Sequence, residues 1–251
     1  MNKLKQALAD HRPQIGLWQA LANAYTAELC AGAGYDWLLF DGEHAPNTIQ
    51  SLLAQLQAVK AYPVEAVARP PVGDPVLIKQ YLDIGFRSLL IPMVESAAQA
   101  RMLVAATRFP PHGIRGVASA TSRASGFGAN AKYLENTHAD ICLVVQIESA
   151  AGLNAIEEIA AVEGVDGLFI GPGDLAGGLG HLGNSTHPDV VSAISQALTR
   201  IRAAGKAAGI FATSADAAIR YIQAGAAFVS IGTDTGLLFN GASDLRKSVK
   251  L

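Results

Sequence analysis

Asp41, Glu43 and His44 crowd into four positions of "LLFDGEHAPN", directly after the apolar Trp37-Leu38-Leu39-Phe40. An imidazole titrates near neutral pH, so His44 could serve as a general base beside two carboxylates. A polar turn at the end of a buried strand would carry the same letters. Glu148 and Asp174 form a second group, each closing an apolar run, "ICLVVQIES" and "DGLFIGPGD". Two bare carboxylates brought together repel unless a proton or a cation lies between them. Hard oxygen ligands, with water completing an octahedron, suit Mg²⁺ or Mn²⁺. The plainer alternative makes Glu148 a helix cap and Asp174 part of a Gly-rich turn. Arg69 ends the alternating "VEAVARP" before a Pro-rich turn. It is either a surface arginine or a fixed fork of donors for a developing oxyanion. Asp83, in "YLDIG", reads by itself as a solvated helix-end residue. Imine chemistry needs a desolvated lysine in the pocket. None of Lys3, Lys5, Lys60, Lys79, Lys132, Lys206, Lys247 and Lys250 falls at the C-terminal end of an expected strand.

The elements that must position these groups alternate along the chain. Eight short apolar runs read as strands: "PQIGLWQA", "DWLLFDGE", "VEAVARP", "SLLIPMVE", "ICLVVQIES", "DGLFIGPGD", "AAGIFATS" and "AFVSIGTD". They are apolar on both faces, as strands of a covered parallel sheet must be. Ala-rich helical segments separate most of them, with glycine stops at Gly32 or Gly34, Gly85, Gly205 and Gly225. The segment "NSTHPDVVSAISQALTRIRAAGKAAG" takes Ser or Thr as its cap and Pro188 in its first turn. Eight βα units in 251 residues match a single-domain (β/α)₈ TIM barrel, with a doubly wound open sheet as runner-up. In such a barrel the chemistry gathers at the C-terminal ends of the strands. That rim would collect Trp18, Asp41, His44, Arg69, Gln146, Glu148, Asp174, Phe211, Thr213 and Asp234. The long segment from Arg108 to Asp140 separates the fourth and fifth strands and reads as a functional loop with a short helix.

Bulk properties narrow the function classes. Half the residues are hydrophobic, 16% are charged and the formal charge is -2, which gives no nucleic-acid or membrane-surface footprint. No apolar run is long enough to span a bilayer, and the first residues lack the apolar core of a signal peptide. Two cysteines in apolar segments make no disulfide framework, so a reducing cytoplasm is expected. Gly178 to Gly183 match G-x-G-x-x-G by letter, but not between a strand and a helix, and no acidic ribose partner follows at the right distance. These glycines read instead as letting the backbone turn closely beside a ligand.

Taken in order, "FDGEHAPN", "VARPP", "YLDIGFRSLLIPMVE", "PPHGIRGVASATSRAS", "VQIES" and "VEGVDGLFIGPGDLA" resemble the HpcH/HpaI aldolase family over nearly the whole chain. The resemblance implies a TIM barrel of the phosphoenolpyruvate/pyruvate type and a class II, metal-dependent pyruvate aldolase. Such an enzyme cleaves 4-hydroxy-2-oxo acids reversibly to pyruvate and an aldehyde through a metal-stabilised enolate. It further implies a divalent ion (Mg²⁺, Mn²⁺ or Co²⁺) on Glu148 and Asp174, and pyruvate held by Gln146 and the backbone of Gly173 and Asp174. Arg69 would meet the keto oxygen, and His44 would be the base with Asp83 paired to it. Asp41, Trp18 and Phe211 would line the pocket. A homohexamer of two trimers is implied, its last helix exchanged between subunits, with no nucleic-acid or membrane partner. The loop bearing Arg115, Arg123 and Phe127 would cover a neighbour's site. "GPGDLA" departs from the family's "GPADLS", and Phe211 stands where an aliphatic residue is common, which narrows the aldehyde pocket. An acyl-CoA lyase of the same superfamily and a phosphate-binding barrel, the latter suggested by "SIGTDTG", are the rival readings.

Overall fold

The computed structural model describes residues 2–249. Eight strands pair in parallel and in sequence order into a closed barrel. They are β1 (Gln14–Gln19), β2 (Trp37–Asp41), β3 (Glu65–Arg69), β4 (Ser88–Ile91), β5 (Cys142–Ile147), β6 (Gly167–Ile170), β7 (Ala207–Phe211) and β8 (Phe228–Thr233). Each falls within one of the eight expected runs. β1 closes the ring on β8, with a register shift between Gly16 and Trp18.

The helices are α1 (Lys3–Ala9), α2 (Ala24–Ala31), α3 (Ile49–Ala58), α4 (Pro75–Ile84), α5 (Ala97–Thr107), α6 (Tyr133–Asp140), α7 (Ala150–Asn154), α8 (Ile156–Ala160), α9 (Pro172–Gly178), α10 (Pro188–Ala203), α11 (Ala215–Gln223) and α12 (Asp234–Ser248). α4 shows the expected grammar. Asp74 caps it through Val76 and Leu77 N–H, Pro75 opens it, and Gly85 ends it at φ 113°, where a side chain would be strained. α10 departs from expectation: its cap is His187, whose Nδ1 accepts the Asp189 N–H at 3.2 Å, rather than Ser185 or Thr186. Pro188 fixes the helix start, so the residue immediately before it becomes the cap.

Two apolar cores follow from the double-sided strands. One fills the barrel with Trp18, Trp37, Leu39, Val67, Val144, Phe169 and Phe228, and Leu4 and Leu8 of α1 plug its N-terminal end. The larger one lies between barrel and helices. Gly16 makes the inner packing feasible, because a Cβ there would lie 2.0 Å from the Trp37 ring. A filled interior makes the barrel a scaffold, leaving its C-terminal rim for chemistry. Among the described residues, no helix is long and apolar enough to cross a membrane.

Candidate active site

The register of β2 on β3 sets Asp41 opposite Arg69. Both are buried, and Arg69 Nε and Nη2 donate to the two Asp41 oxygens at 2.9 and 2.8 Å. The guanidinium lies 4.3 Å from the Trp18 ring centroid. Its remaining nitrogen, Nη1, donates to Gln146 Oε1 at 3.4 Å and sits 2.7 Å from Glu43 Oε2. The Glu43 contact is an ion pair by distance without hydrogen-bond alignment, since Glu43 Oε2 is buried with no hydrogen-bond partner. Burial pushes the Glu43 carboxyl up, against the pull of Arg69 and His44. Asp41 also accepts the backbone N–H groups of Glu43 and His44, so one carboxylate orients both the arginine and the turn.

Glu148 ends the β5 segment, buried at 4% exposure. One oxygen accepts the Met93 N–H at 2.8 Å and the other accepts Gln146 Nε2 at 2.9 Å. Gln146 therefore links the two halves, its oxygen toward Arg69 and its nitrogen toward Glu148. Burial, reinforced by the charges of Asp174 and Glu43, pushes the Glu148 carboxyl up to about 7 despite the Met93 hydrogen bond. Gly171 lets this carboxylate pack against the β6 end, because a Cβ there would stand 2.3 Å from Glu148 Oε2. α9 begins immediately afterwards, with Gly173 and Asp174 exposed in its first turn. Backbone N–H groups at such a start lack intrahelical acceptors.

A cavity of about 320 Å³ opens among Glu148, Asp174, Gly173, Gln146, Arg69 and His44, walled by Trp18, Phe169 and Phe211. Phe211 stands edge-on to Trp18 with centroids 5.5 Å apart. Thr213 and Ser185 complete the wall. No sequence signal marked Ser185, which enters from the loop between α9 and α10. No described lysine lines the cavity, and Lys250 lies outside the described residues. A larger cavity, about 730 Å³, lies at the opposite barrel end near α1, away from the rim carboxylates.

Several expected roles change. Asp41 is not a cavity wall; its carboxylate is consumed by Arg69 and the 43–44 turn. Asp83 does not meet His44 within the chain. It sits in the last turn of α4, which runs antiparallel to the strands and so ends at the barrel's N-terminal side. There it accepts from Arg115 Nη2 at 2.6 Å. The carboxylate beside His44 is Glu43, with Oε2 3.7 Å from Nε2 and the imidazole largely exposed. Arg115 is buried against Asp83, Phe109 and Tyr133, and Arg123 donates to the Ile84 carbonyl. Both therefore pin their loop to its own barrel, leaving Phe127 exposed. Gly180 and Gly183 take positive φ with open space where a Cβ would go, so they serve the turn rather than a close approach. Asp234 is buried at the start of α12 and its carboxylate accepts the N–H groups of Ala20, Leu21 and Thr235.

The donor set fits a hard divalent ion. Arg69 neutralises Asp41, leaving Glu43, Glu148 and Asp174 to share one arginine contact and one imidazole. Glu148 and Asp174 could hold Mg²⁺ or Mn²⁺ through oxygen, and each hydrogen-bonded Glu148 oxygen retains a second lone pair.

The chain has relatives of known family. The sequence profile of the HpcH/HpaI aldolase/citrate lyase family matches residues 14–241. The chain is 60% identical over 249 residues to a hydroxypyruvate/pyruvate aldolase of Deinococcus radiodurans, covering 99% of this chain and 90% of that one. It is 53% identical over 244 residues to a 4-hydroxy-2-oxo-heptane-1,7-dioate aldolase of Salmonella dublin, covering 97% and 93%. The crystal structure of an HpcH/HpaI aldolase/citrate lyase family protein from Burkholderia cenocepacia superposes with a TM-score of 0.96 at 43% identity, covering 99% of both chains. Barrel and sequence agree from β1 into α12, and this chain belongs to the HpcH/HpaI aldolase/citrate lyase family.

Proposed function

We infer that the chain is a carbon–carbon lyase, an aldolase that joins the enolate of pyruvate or a close 2-oxo-acid analogue to an aldehyde and reverses that reaction. The names of its relatives support the reaction class. The observation that carries the reading is the continuous network Asp41–Arg69–Gln146–Glu148, whose last three members open with Asp174 onto one cavity.

In this reading the backbone N–H groups of Gly173 and Asp174 receive the substrate carboxylate. Gln146, fixed between Arg69 and Glu148, borders the 2-oxo group. Arg69 holds its charge beside the keto oxygen and stabilises the enolate as it forms, because Asp41 and Trp18 have already oriented its fork. His44 takes the methyl proton on the open side and gives it to the aldehyde oxygen as the carbon–carbon bond forms; cleavage runs both transfers backward. Glu43 stabilises the imidazolium. A divalent ion on Glu148 and Asp174 supplies Lewis acidity that makes the methyl protons more acidic. Trp18 and Phe211 exclude water from the carbon centre, and the remaining opening admits the aldehyde. α12 leaves Leu237, Leu238, Phe239 and Leu245 exposed, which supports their burial against another copy in an oligomer.

The test is release of pyruvate or hydroxypyruvate from a panel of 4-hydroxy-2-oxo acids, with Mg²⁺, Mn²⁺ or Co²⁺ present. Turnover that ceases on chelation and returns with the ion is expected. Full turnover by chelated enzyme refutes the metal role, and no cleavage of any member refutes the aldolase reading.

A further inference from the structure

The loop joining α9 to α10 and the first turn of α10 hold a second group of ligand-type side chains, His181, His187 and Asp189, outside the network just described. Five residues separate the two histidines, and tight turns bring them together. Asn184 N–H donates to the His181 carbonyl at 2.9 Å, and His187 N–H to the Asn184 carbonyl at 3.1 Å. Gly180 and Gly183, at φ 83° and 77°, permit the reversals. The imidazoles stack with centroids 3.6 Å apart and planes 15° apart. Asp189 Oδ2 lies 3.3 Å from His181 Nε2 and 3.7 Å from His187 Nδ1. One ligand atom from each residue falls within 4.8 Å of the others.

These contacts are not aligned hydrogen bonds. His187 Nδ1 spends its one lone pair on the Asp189 backbone N–H that caps α10, so binding an ion there exchanges that hydrogen bond for the metal. His181 Nε2, His187 Nδ1 and Asp189 Oδ2 are the donor atoms that the group offers a cation. Bonds of about 2.0–2.1 Å from nitrogen and oxygen to a tetrahedral ion place neighbouring ligand atoms about 3.3–3.4 Å apart. The distances to Asp189 Oδ2 lie at and just beyond that edge, and the imidazoles turn out of their stack to aim both lone pairs at one ion. Both histidines are partly sheltered, at 25% and 33% side-chain exposure, while Asp189 reaches into solvent at 74% and leaves a face for water.

We propose that His181, His187 and Asp189 form a second metal site, selective for a borderline transition ion of the Zn²⁺ class and separate from the hard-oxygen carboxylates at the rim. Two imidazoles and one carboxylate favour Zn²⁺, Ni²⁺ or Cu²⁺ over Mg²⁺. The ion ties together the two ends of the 181–187 loop. Ser185, between those ends, lines the rim cavity. Occupancy therefore pins one wall of that cavity and restrains Leu182, the loop tip, which is 88% exposed.

The test uses tag-free, full-length protein, stripped with chelator and equilibrated with Zn²⁺ at saturating Mg²⁺. Bound zinc per chain falls by one in His181→Ala and likewise in the milder Asp189→Asn, relative to wild type. It falls by one whether or not the rim also takes zinc, so the result is independent of the aldolase reading. Equal zinc content in wild type and both variants overturns the site. Subtilisin cleavage beside Leu182 reads the pinning. Zinc slows it several-fold in wild type and leaves it unchanged in His181→Ala; cleavage of wild type at one rate with and without zinc overturns the restraint.

Discussion

Arg69 is held at three of its nitrogens, by Asp41, Gln146 and the Glu43 ion pair, and on its face by Trp18. Lysine offers a point charge without the fork. Arg69→Lys is therefore expected to lower kcat/KM by about 100-fold or more, on the order of 3 kcal/mol of lost transition-state stabilisation, with near-native circular dichroism. Arg69→Met leaves Asp41 buried and unpaired, and chemical denaturation should register a loss of about 3–5 kcal/mol. Glu148 gives a pH signature in protein freed of metal. Its folded pKa, about 7, exceeds the ordinary carboxyl value of 4.5, so the native state holds a proton that the unfolded chain has released. Stability is then full below pH 4.5 and falls as pH rises through 7, by roughly 3 kcal/mol from this group. Glu148→Gln cannot ionise, and its denaturation midpoint should gain on wild type between pH 5 and pH 8. A constant difference across that range contradicts the assignment.

At the scale of elements, the β6–α9 junction constrains the Glu148 side of the site. Gly171→Ala places a methyl group 2.3 Å from Glu148 Oε2, so the carboxylate or the start of α9 must move. Activity should fall at least tenfold, since displacements near 1 Å at reacting centres cost that much or more, while the melting temperature shifts by only a few degrees. All eight strands were legible because each is buried on both faces and reads as a short apolar run between glycines and caps. Their rim residues followed directly, since a barrel sends each strand end to one face. What was not legible depends on partners distant in sequence. Glu43 reads as a turn residue until Arg69 is seen beside it, 26 positions on. Asp83 reaches Arg115 because α4 ends at the far side of the barrel, a fact of direction rather than composition. His187 displaced Ser and Thr as the α10 cap because Pro188 sets where the helix begins.

For the whole molecule, α12 is the element least explained by a single chain. Only Asp234 is buried among its 15 residues, and Leu237, Leu238, Phe239 and Leu245 face outward. Covering each side chain contributes about 1.5–3 kcal/mol, enough to favour association. Leu238→Glu with Phe239→Asp should shift the protein toward monomer in light scattering while preserving the barrel's far-ultraviolet spectrum; an unchanged mass would place the contact elsewhere. The barrel itself brings β2, β3, β5 and β6 to one rim, where in the proposed reaction their side chains enolise a 2-oxo acid with a divalent ion on Glu148 and Asp174. The most direct measurement is exchange of the pyruvate methyl protons with deuterium, followed by nuclear magnetic resonance without any aldehyde. Exchange is expected with Mg²⁺ or Mn²⁺, slowed strongly in His44→Ala and absent after chelation or in Glu148→Gln; undiminished exchange in chelated protein would contradict the account.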